Sequence, residues 1–249
     1  LHTMNTDDHQ HLTRLQLYET GEYACSYLPQ KRARSQMIAP ADAVNANNYQ
    51  NLLDQGFRRS GLYVYRPKCH HCTACQSMRI VVDQFIPSRS QRRAKSRWSA
   101  LAISVHDLEF SNEHFKLYQH YQNTRHNEGE MAQDDEAQYR QFLLKSQVNS
   151  LLIEFRDISN GNRLVMVSAI DQTTFGLSAV YTFFETDPQY SGLGTYNVLW
   201  QIDLALRMGL PYVYLGYWIE DCPKMSYKSK FAAAEVLRNG VWMKLSETC

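Results

Sequence analysis

The 249-residue sequence contains no run of eighteen or more apolar residues, which argues against a membrane-spanning helix. No apolar leader segment stands near its start, so secretion is not expected. Internal repeats and low-complexity tracts are absent, which argues against solenoids and biased linkers. Cysteine is sparse, at six residues; in a chain of this length without a leader, that points to a reducing, cytoplasmic setting rather than a disulfide framework. Net charge is almost absent, at +1. No Ser-His-Asp order or other nucleophile signature stands out, so a covalent enzyme intermediate is not expected.

What is present is an ordinary globular composition, 44% hydrophobic and 20% charged, in a length that suits one large domain or two modest ones. The near-zero charge hides a segregation. Residues 29 to 98 carry thirteen Lys/Arg against three Asp/Glu, a balance of +10, so the rest of the chain sums to −9. "KRARS", "GFRRSG" and "RSQRRAKSR" lie in this stretch, interleaved with Tyr49, Phe57, Tyr63, Tyr65 and Trp98. Cations beside aromatic rings suit phosphate contact and base stacking, although a solvated basic face gives the same composition.

Half of the cysteines crowd into "YRPKCHHCTACQSMRI", where Cys69, Cys72 and Cys75 follow C-x2-C-x2-C. This compact spacing resembles iron–sulfur loops more than the separated C-x2-C pairs of all-cysteine zinc sites, and His70 and His71 are further candidate ligands. A packed group of reduced thiols is the alternative.

Hydrophobic periodicity predicts a helix within 41–57, strands at 61–67 and 77–85, a short basic helix at 88–98, another strand, and two amphipathic helices between 111 and 147. The second half is richer in strands. "SLLIEFRDI", the turn "SNGN", "RLVMVSAIDQ" and "GLSAVYTFFE" precede a glycine-bearing loop, an apolar helix ending at Gly209, and the strand "PYVYLGYW". Antiparallel strands, a loop, a helix and a returning strand describe an α+β fold of the GNAT (acyl-CoA N-acyltransferase) kind. "QYSGLG", with Gln189, Gly192 and Gly194, fits the loop that such folds place at the start of the central helix, where free N–H groups hold phosphate oxygens.

Together "GFRRSG", "YRPKCHHCTAC", "RSQRR", "GLSAVYTFFE", "LGTYNVLWQIDLA" and "LPYVYLGYWIEDCPKMSYKSKF" resemble the arginyl-tRNA–protein transferase family, in its short bacterial aspartate/glutamate leucyltransferase branch. The resemblance spans about Tyr23 to Glu235. It implies a smaller cysteine-containing N-terminal domain, drawn here as 4–84, and a GNAT-like transferase domain, 85–249. The implied reaction takes leucine from leucyl-tRNA to the α-amine of proteins that begin with Asp or Glu, creating a degradation signal. No cofactor is required for that chemistry. The family also places a cysteine motif near Cys25, which with Cys69, Cys72 and Cys75 makes four candidate thiolates for zinc or an iron–sulfur cluster. A non-catalytic RNA-binding protein with a GNAT-like fold is the alternative function, and CoA-dependent acetylation a third, disfavoured by the basic N-terminal half.

The implied chemistry asks for a proton acceptor, oxyanion donors and positioning. Asp171 is the first candidate base, since relatives carry an aspartate shortly before the "SAVY" strand. Glu154 is the second, and Tyr181 and Tyr217 are hydroxyl candidates. His126 is a further candidate base. The acidic acceptor calls for a cation, with Arg58, Arg59, Arg79 and Lys228 as candidates. Arg92, Arg93, Arg97 and Lys224 are candidates for tRNA phosphates, and Lys228 is open to that role as well.

Overall fold

The computed structural model describes residues 15–125 and 133–247. The N-terminal part builds a four-stranded antiparallel sheet in the order β1 (Gln16–Glu19), β4 (Ser35–Ala39), β6 (Tyr63–Pro67), β5 (Arg58–Ser60). A small hairpin, β2 (Tyr23–Ala24) with β3 (Arg32–Ala33), stands beside it. The helix predicted within 41–57 is α1 (Ala46–Asp54), which starts where Asn45 and Asn48 form a reciprocal capping box. Tyr49, Leu52 and Leu53 on α1 pack with Ile38, Phe57 and Val64 in a cluster that also takes in Tyr214 from the second half of the chain.

The larger body is an eight-stranded mixed sheet. Its order is β14 (Val241–Lys244), β13 (Ala234–Arg238), β7 (Gln76–Val81), β12 (Tyr212–Trp218), β11 (Gly176–Phe184), β10 (Arg163–Gln172), β9 (Ser150–Asp157), β8 (Ala102–His106). Every pair is antiparallel except β11 with β12, the strands on either side of α5 (Leu193–Arg207). Antiparallel strands, a helix and a parallel return strand form the expected GNAT-like arrangement. The strand β7 precedes the boundary expected at residue 84, yet it lies inside this sheet, between β12 and β13.

Both faces of the sheet are covered. On one, α5 and the basic helix α2 (Arg89–Trp98) bury Leu193, Leu199, Ile202 and Trp98 against Ile80, Phe155, Val165 and Val213. On the other, α3 (Asn112–Arg125) and α4 (Glu136–Leu143) bury Leu117, Tyr118, Tyr139 and Leu143 against Leu152, Val167, Ala169 and Phe183. Along β10, Met166 faces the first cluster while Val167 and Ala169 face the second, the period of two that sends neighbouring side chains to opposite faces; Val165 joins Met166 because the β9–β10 register shifts between Leu164 and Met166.

A buried polar joint connects the two bodies. Gln50 on α1 donates to the Tyr214 hydroxyl (2.9 Å), and Tyr214 donates to Asp54 (2.6 Å). Arg59 on β5 crosses to Asp171 on β10.

Candidate active site

Strands β11 and β12 pair only from Gly176 to Ser178 and from Tyr212 to Tyr214. Beyond that point both are bent by register shifts, at Ala169/Ile170 in the β10–β11 pairing and at Tyr214/Gly216 in the β12–β7 pairing. A gap therefore opens at the C-terminal ends of two parallel strands, at the same end as the start of α5. This is where open α/β sheets bind ligands.

Two cations reach into the gap. Arg58 donates to the Ala179 carbonyl of β11. Lys228, from the 3-10 segment Pro223–Lys230, donates through Nζ to the Leu215 carbonyl (2.8 Å) and the Tyr217 carbonyl (2.6 Å) of β12. The side chains thus satisfy strand carbonyls that the opening would orphan. The Arg58 guanidinium lies flat against Gly216, where an added Cβ would stand 1.0 Å from one of its nitrogens, and Gly216 has φ +80°. Only glycine fits both the backbone angle and the close approach.

Neither side chain has a carboxylate partner among the described residues; their hydrogen bonds go to carbonyls. Burial first, and Arg58 second, bring the Lys228 ammonium from its usual range down to about 7. Five tyrosines, Tyr27, Tyr49, Tyr65, Tyr217 and Tyr227, feel the Arg58 charge. The Tyr217 ring lies 5.8 Å from the guanidinium, and its hydroxyl donates to the carbonyls of Gly56 (3.1 Å) and Tyr65 (3.2 Å). Burial pushes the Tyr27 phenol up to about 12 and that of Tyr217 well above its ordinary value, so at neutral pH these groups are neutral donors and not bases. A half-buried guanidinium without a counter-ion, beside a buried amine that an incoming anion would hold in its protonated form, is arranged to receive an anionic group.

Several candidates lie elsewhere, each for a physical reason. Asp171 is fully buried, and Arg59 holds both of its oxygens (Nε to Oδ2 2.9 Å, NH2 to Oδ1 2.7 Å) while Ser150 donates to Oδ1. It has no open face for a substrate proton, which corrects its assignment as base. Arg59 is correspondingly spent on Asp171 and on the carbonyls of Gly61 and Lys145, and is no acceptor clamp. Burial works against the Arg59 charge, and the Asp171 carboxylate outweighs it, raising its pKa above the ordinary value. Glu154 on β9 is held by His114 (2.8 Å) and Arg156. Its burial favours the protonated form, but those two hydrogen bonds prevail and leave the carboxyl below its usual range, a poor base. Arg79 pairs with Glu235 (2.8 Å) and Asp54 (3.3 Å) between the rings of Tyr212 and Trp242, 3.7 and 4.2 Å away, so it too is structural. The Tyr181 hydroxyl accepts from Gln122 (2.9 Å), and burial raises its pKa. His126 lies outside the described residues.

The structure does bring the basic helix and the glycine loop together. Arg97 donates to the Gln189 carbonyl (2.8 Å) and Ser191 Oγ (3.3 Å), Trp98 donates to the Ser191 carbonyl (3.2 Å), and the Trp98 ring stacks on Tyr190 at 5.7 Å. Gly192 caps α5 with φ +91°, 3.7 Å in Cβ terms from the Trp98 indole nitrogen, and Gly194 rests against the Phe184 ring. Arg92, Arg93, Arg97 and Lys224 are all exposed, with Arg97 engaged on the glycine loop and Arg92 donating to the Pro87 carbonyl (2.7 Å).

The four cysteines line one cavity of about 670 Å³, beside Tyr27, Tyr65 and Tyr217. All four are free thiols, and burial together with the neighbouring sulfurs of Cys25, Cys69 and Cys72 pushes Cys75 up to about 12. The donor set is of the right type for a soft metal or a cluster. No three of the sulfurs lie within 4.8 Å of one another, whereas four thiolates at 2.3 Å from one zinc would. The quartet surrounds a space wider than one tetrahedral ion needs.

Sequence reasoning missed the roles of Gly216 and Tyr27. A lone glycine inside the strand pattern "PYVYLGYW" signals close backbone approach, and that signal was available. Nothing comparable marks Tyr27, because its position depends on contacts with residues far along the chain.

Two family profiles match the chain. One described as arginine-tRNA-protein transferase, N terminus, covers residues 23–93, and one described as arginine-tRNA-protein transferase, C terminus, covers residues 113–238. The chain is 52% identical over 237 residues to an aspartate/glutamate leucyltransferase of Polynucleobacter necessarius, covering 94% of each. It is 48% identical over 233 residues to a protein of the same name from Chromobacterium violaceum, covering 94% of this chain and 95% of the other. Among solved structures it is similar to a crystal structure of FemX, with a TM-score of 0.47 and 9% identity over 90% of this chain and 86% of that one.

Proposed function

Since the chain belongs to the arginine-tRNA-protein transferase family, we propose that it transfers leucine from leucyl-tRNA to the α-amine of proteins that begin with Asp or Glu. It is an aminoacyltransferase, and the non-catalytic RNA-binding reading is left without support. The observation that carries the acceptor assignment is Arg58, a guanidinium without a counter-ion at the open end of the sheet, with the Lys228 amine beside it. An acidic side chain entering the gap supplies the missing charge, and the neutral Asn or Gln analogue does not.

The chemistry asks little beyond this. The donor ester is already activated, and an α-amine with a pKa near 8 is neutral in roughly a tenth of molecules at pH 7. With Asp171 and Glu154 closed off, proton loss to water precedes attack. The neutral amine adds to the ester carbonyl, the nitrogen loses a proton through water, the tetrahedral oxyanion collapses to the amide with cleavage of the ester C–O bond, and the tRNA ribose oxygen leaves as the hydroxyl, taking a proton back from water. The nearby Arg58 guanidinium favours the oxyanion. The exposed Arg92, Arg93 and Lys224 are assigned to tRNA phosphates, supported by the docking of α2 on the glycine loop.

Zinc or an iron–sulfur cluster on Cys25, Cys69, Cys72 and Cys75 belongs to the same proposal as a structural element. The thiol chemistry supports it, and the wide spacing favours the larger group. When bound, it would tie the β2–β3 turn to the Cys69–Cys75 loop. A cytoplasmic location is proposed as well, supported by the free thiols, as is a role in marking proteins for degradation. No described helix is long and apolar enough to cross a membrane. The test is transfer of labelled leucine from leucyl-tRNA to peptides beginning with Asp, Glu or Ala. Label is expected on the first two; equal labelling of all three, or of none, contradicts the proposal.

A further inference from the structure

Attack on the ester needs a neutral α-amine, and Asp171 and Glu154 are both held by other side chains. The gap between β11 and β12 nevertheless contains a group with the form of a base. Lys228 is only 8% exposed, whereas most lysines keep the amine in water. Its Nζ donates to the Leu215 carbonyl (2.8 Å) and to the Tyr217 carbonyl (2.6 Å). An ammonium has three donors, and the described residues supply Lys228 with two acceptors. A neutral amine has two N–H groups and a lone pair. The same two carbonyls satisfy it fully and leave the lone pair to take a proton.

The surroundings act in the same direction. Burial disfavours the ammonium most, and the Arg58 guanidinium from β5 adds to this. Cys222, at the start of the segment that carries Lys228, works the other way and more weakly. Burial pushes up the phenols of Tyr217 on β12 and of Tyr227 on the Lys228 segment, so both are neutral. Among the described residues no carboxylate pairs with Lys228.

An acidic acceptor changes this balance. In an N-terminal Asp or Glu the carboxylate and the α-amine belong to one residue, so a carboxylate docked on Arg58 brings the amine into the neighbourhood of Lys228. The same carboxylate supplies the negative charge that a Lys228 ammonium lacks. Resting on the acceptor assignment above, we propose that Lys228 is the base for the acceptor's α-ammonium, and that the acceptor's own carboxylate makes it one. An N–H bond of the α-ammonium breaks, its electron pair stays on nitrogen, and the proton passes through one water to Nζ. The attacking amine is then neutral, and Lys228 is a cation paired with the acceptor carboxylate. It returns the proton to water when the product leaves. Selectivity for Asp and Glu therefore lies in turnover as well as in binding, because an Asn or Gln side chain gives the proton no such partner.

The protonation of Lys228 can be read without turnover, by NMR of the full chain carrying 13C at lysine Cε, with the signal assigned through Lys228→Arg. The signal is expected to titrate at about 7. A saturating peptide that begins with Asp should move the midpoint up by about one pH unit or more, and its Asn analogue should not. Titration at the ordinary lysine value of 10.5, or equal movement with both peptides, overturns the proposal. Kinetics add a second test. With leucyl-tRNA saturating, kcat/KM for the Asp peptide should rise with pH through about 7 in the wild type. Lys228→Arg keeps a charge and donors but accepts no proton. Its rate should fall by about 10²-fold or more, and its rise should follow the free α-amine, near pH 8. A Lys228→Arg rate within a few-fold of wild type overturns the proposal. A wild type that transfers no leucine would sink the transferase reading and the base with it; leucine transfer with an ordinary Lys228 titration would sink the base alone.

Discussion

Arg58 and Arg59 are adjacent in the sequence and do opposite work. On a strand, consecutive side chains face opposite sides, so β5 sends Arg59 into the joint with Asp171 and Arg58 into the gap between β11 and β12. Arg59 is fully compensated and Arg58 is not. The distinction decides what Asp171→Asn does. Removing the carboxylate leaves a buried guanidinium unpaired, which costs about 3–5 kcal/mol of stability. Urea unfolding should show that loss, and the folded fraction should retain turnover within a few-fold. A normally stable variant whose turnover falls a hundred-fold would restore Asp171 as the base. The sequence suggested Asp171 as a base because it lies on a central strand and because relatives carry an aspartate shortly before the "SAVY" strand. What it could not show was Arg59, 112 residues away, on the same carboxylate.

At the scale of elements, the helix order and most strands were legible, because apolar periods are local. The structure adds reciprocal capping bonds at Asn45, Ser88 and Asp135, where three of the helices begin. The path of β7 was not legible. Its run of Met78 to Val81 reads equally well in either sheet, and only pairing with β12 and β13 decides it. The gap itself was also invisible, since it comes from two bulges in separate pairings. The docking of α2 on the glycine loop leads to a prediction at this scale. Trp98 and Arg97 fasten the helix, leaving Arg92 and Arg93 exposed. Arg92→Gln and Arg93→Gln should each raise the KM for tRNA more than they lower turnover at saturation. Each should also reduce the slope of log affinity against log salt by roughly 0.7–0.9. Unchanged slopes in both variants would make α2 a solvated face.

Across the whole molecule, the segregated charge seen in the sequence has two destinations. Some of it is internal: Arg59 and Arg79 are consumed by Asp171, Asp54 and Glu235, and hold the small sheet and β13 to the large one. The remainder is displayed, along α2 and around the cysteine cavity. A count of +10 could not separate the two, because burial and pairing are properties of the fold. Arg58 falls in neither group, being half-buried and lacking a carboxylate, and the account of the acceptor rests on it. The most direct test compares kcat/KM for peptides beginning with Asp and with Asn, in the wild type and in Arg58→Met, with leucyl-tRNA held saturating. The wild type should prefer Asp strongly, and the variant should lose most of that preference, chiefly through a higher KM for the Asp peptide. An Arg58→Met protein that folds normally and still prefers Asp to the same degree would contradict the assignment of the acceptor carboxylate to this gap.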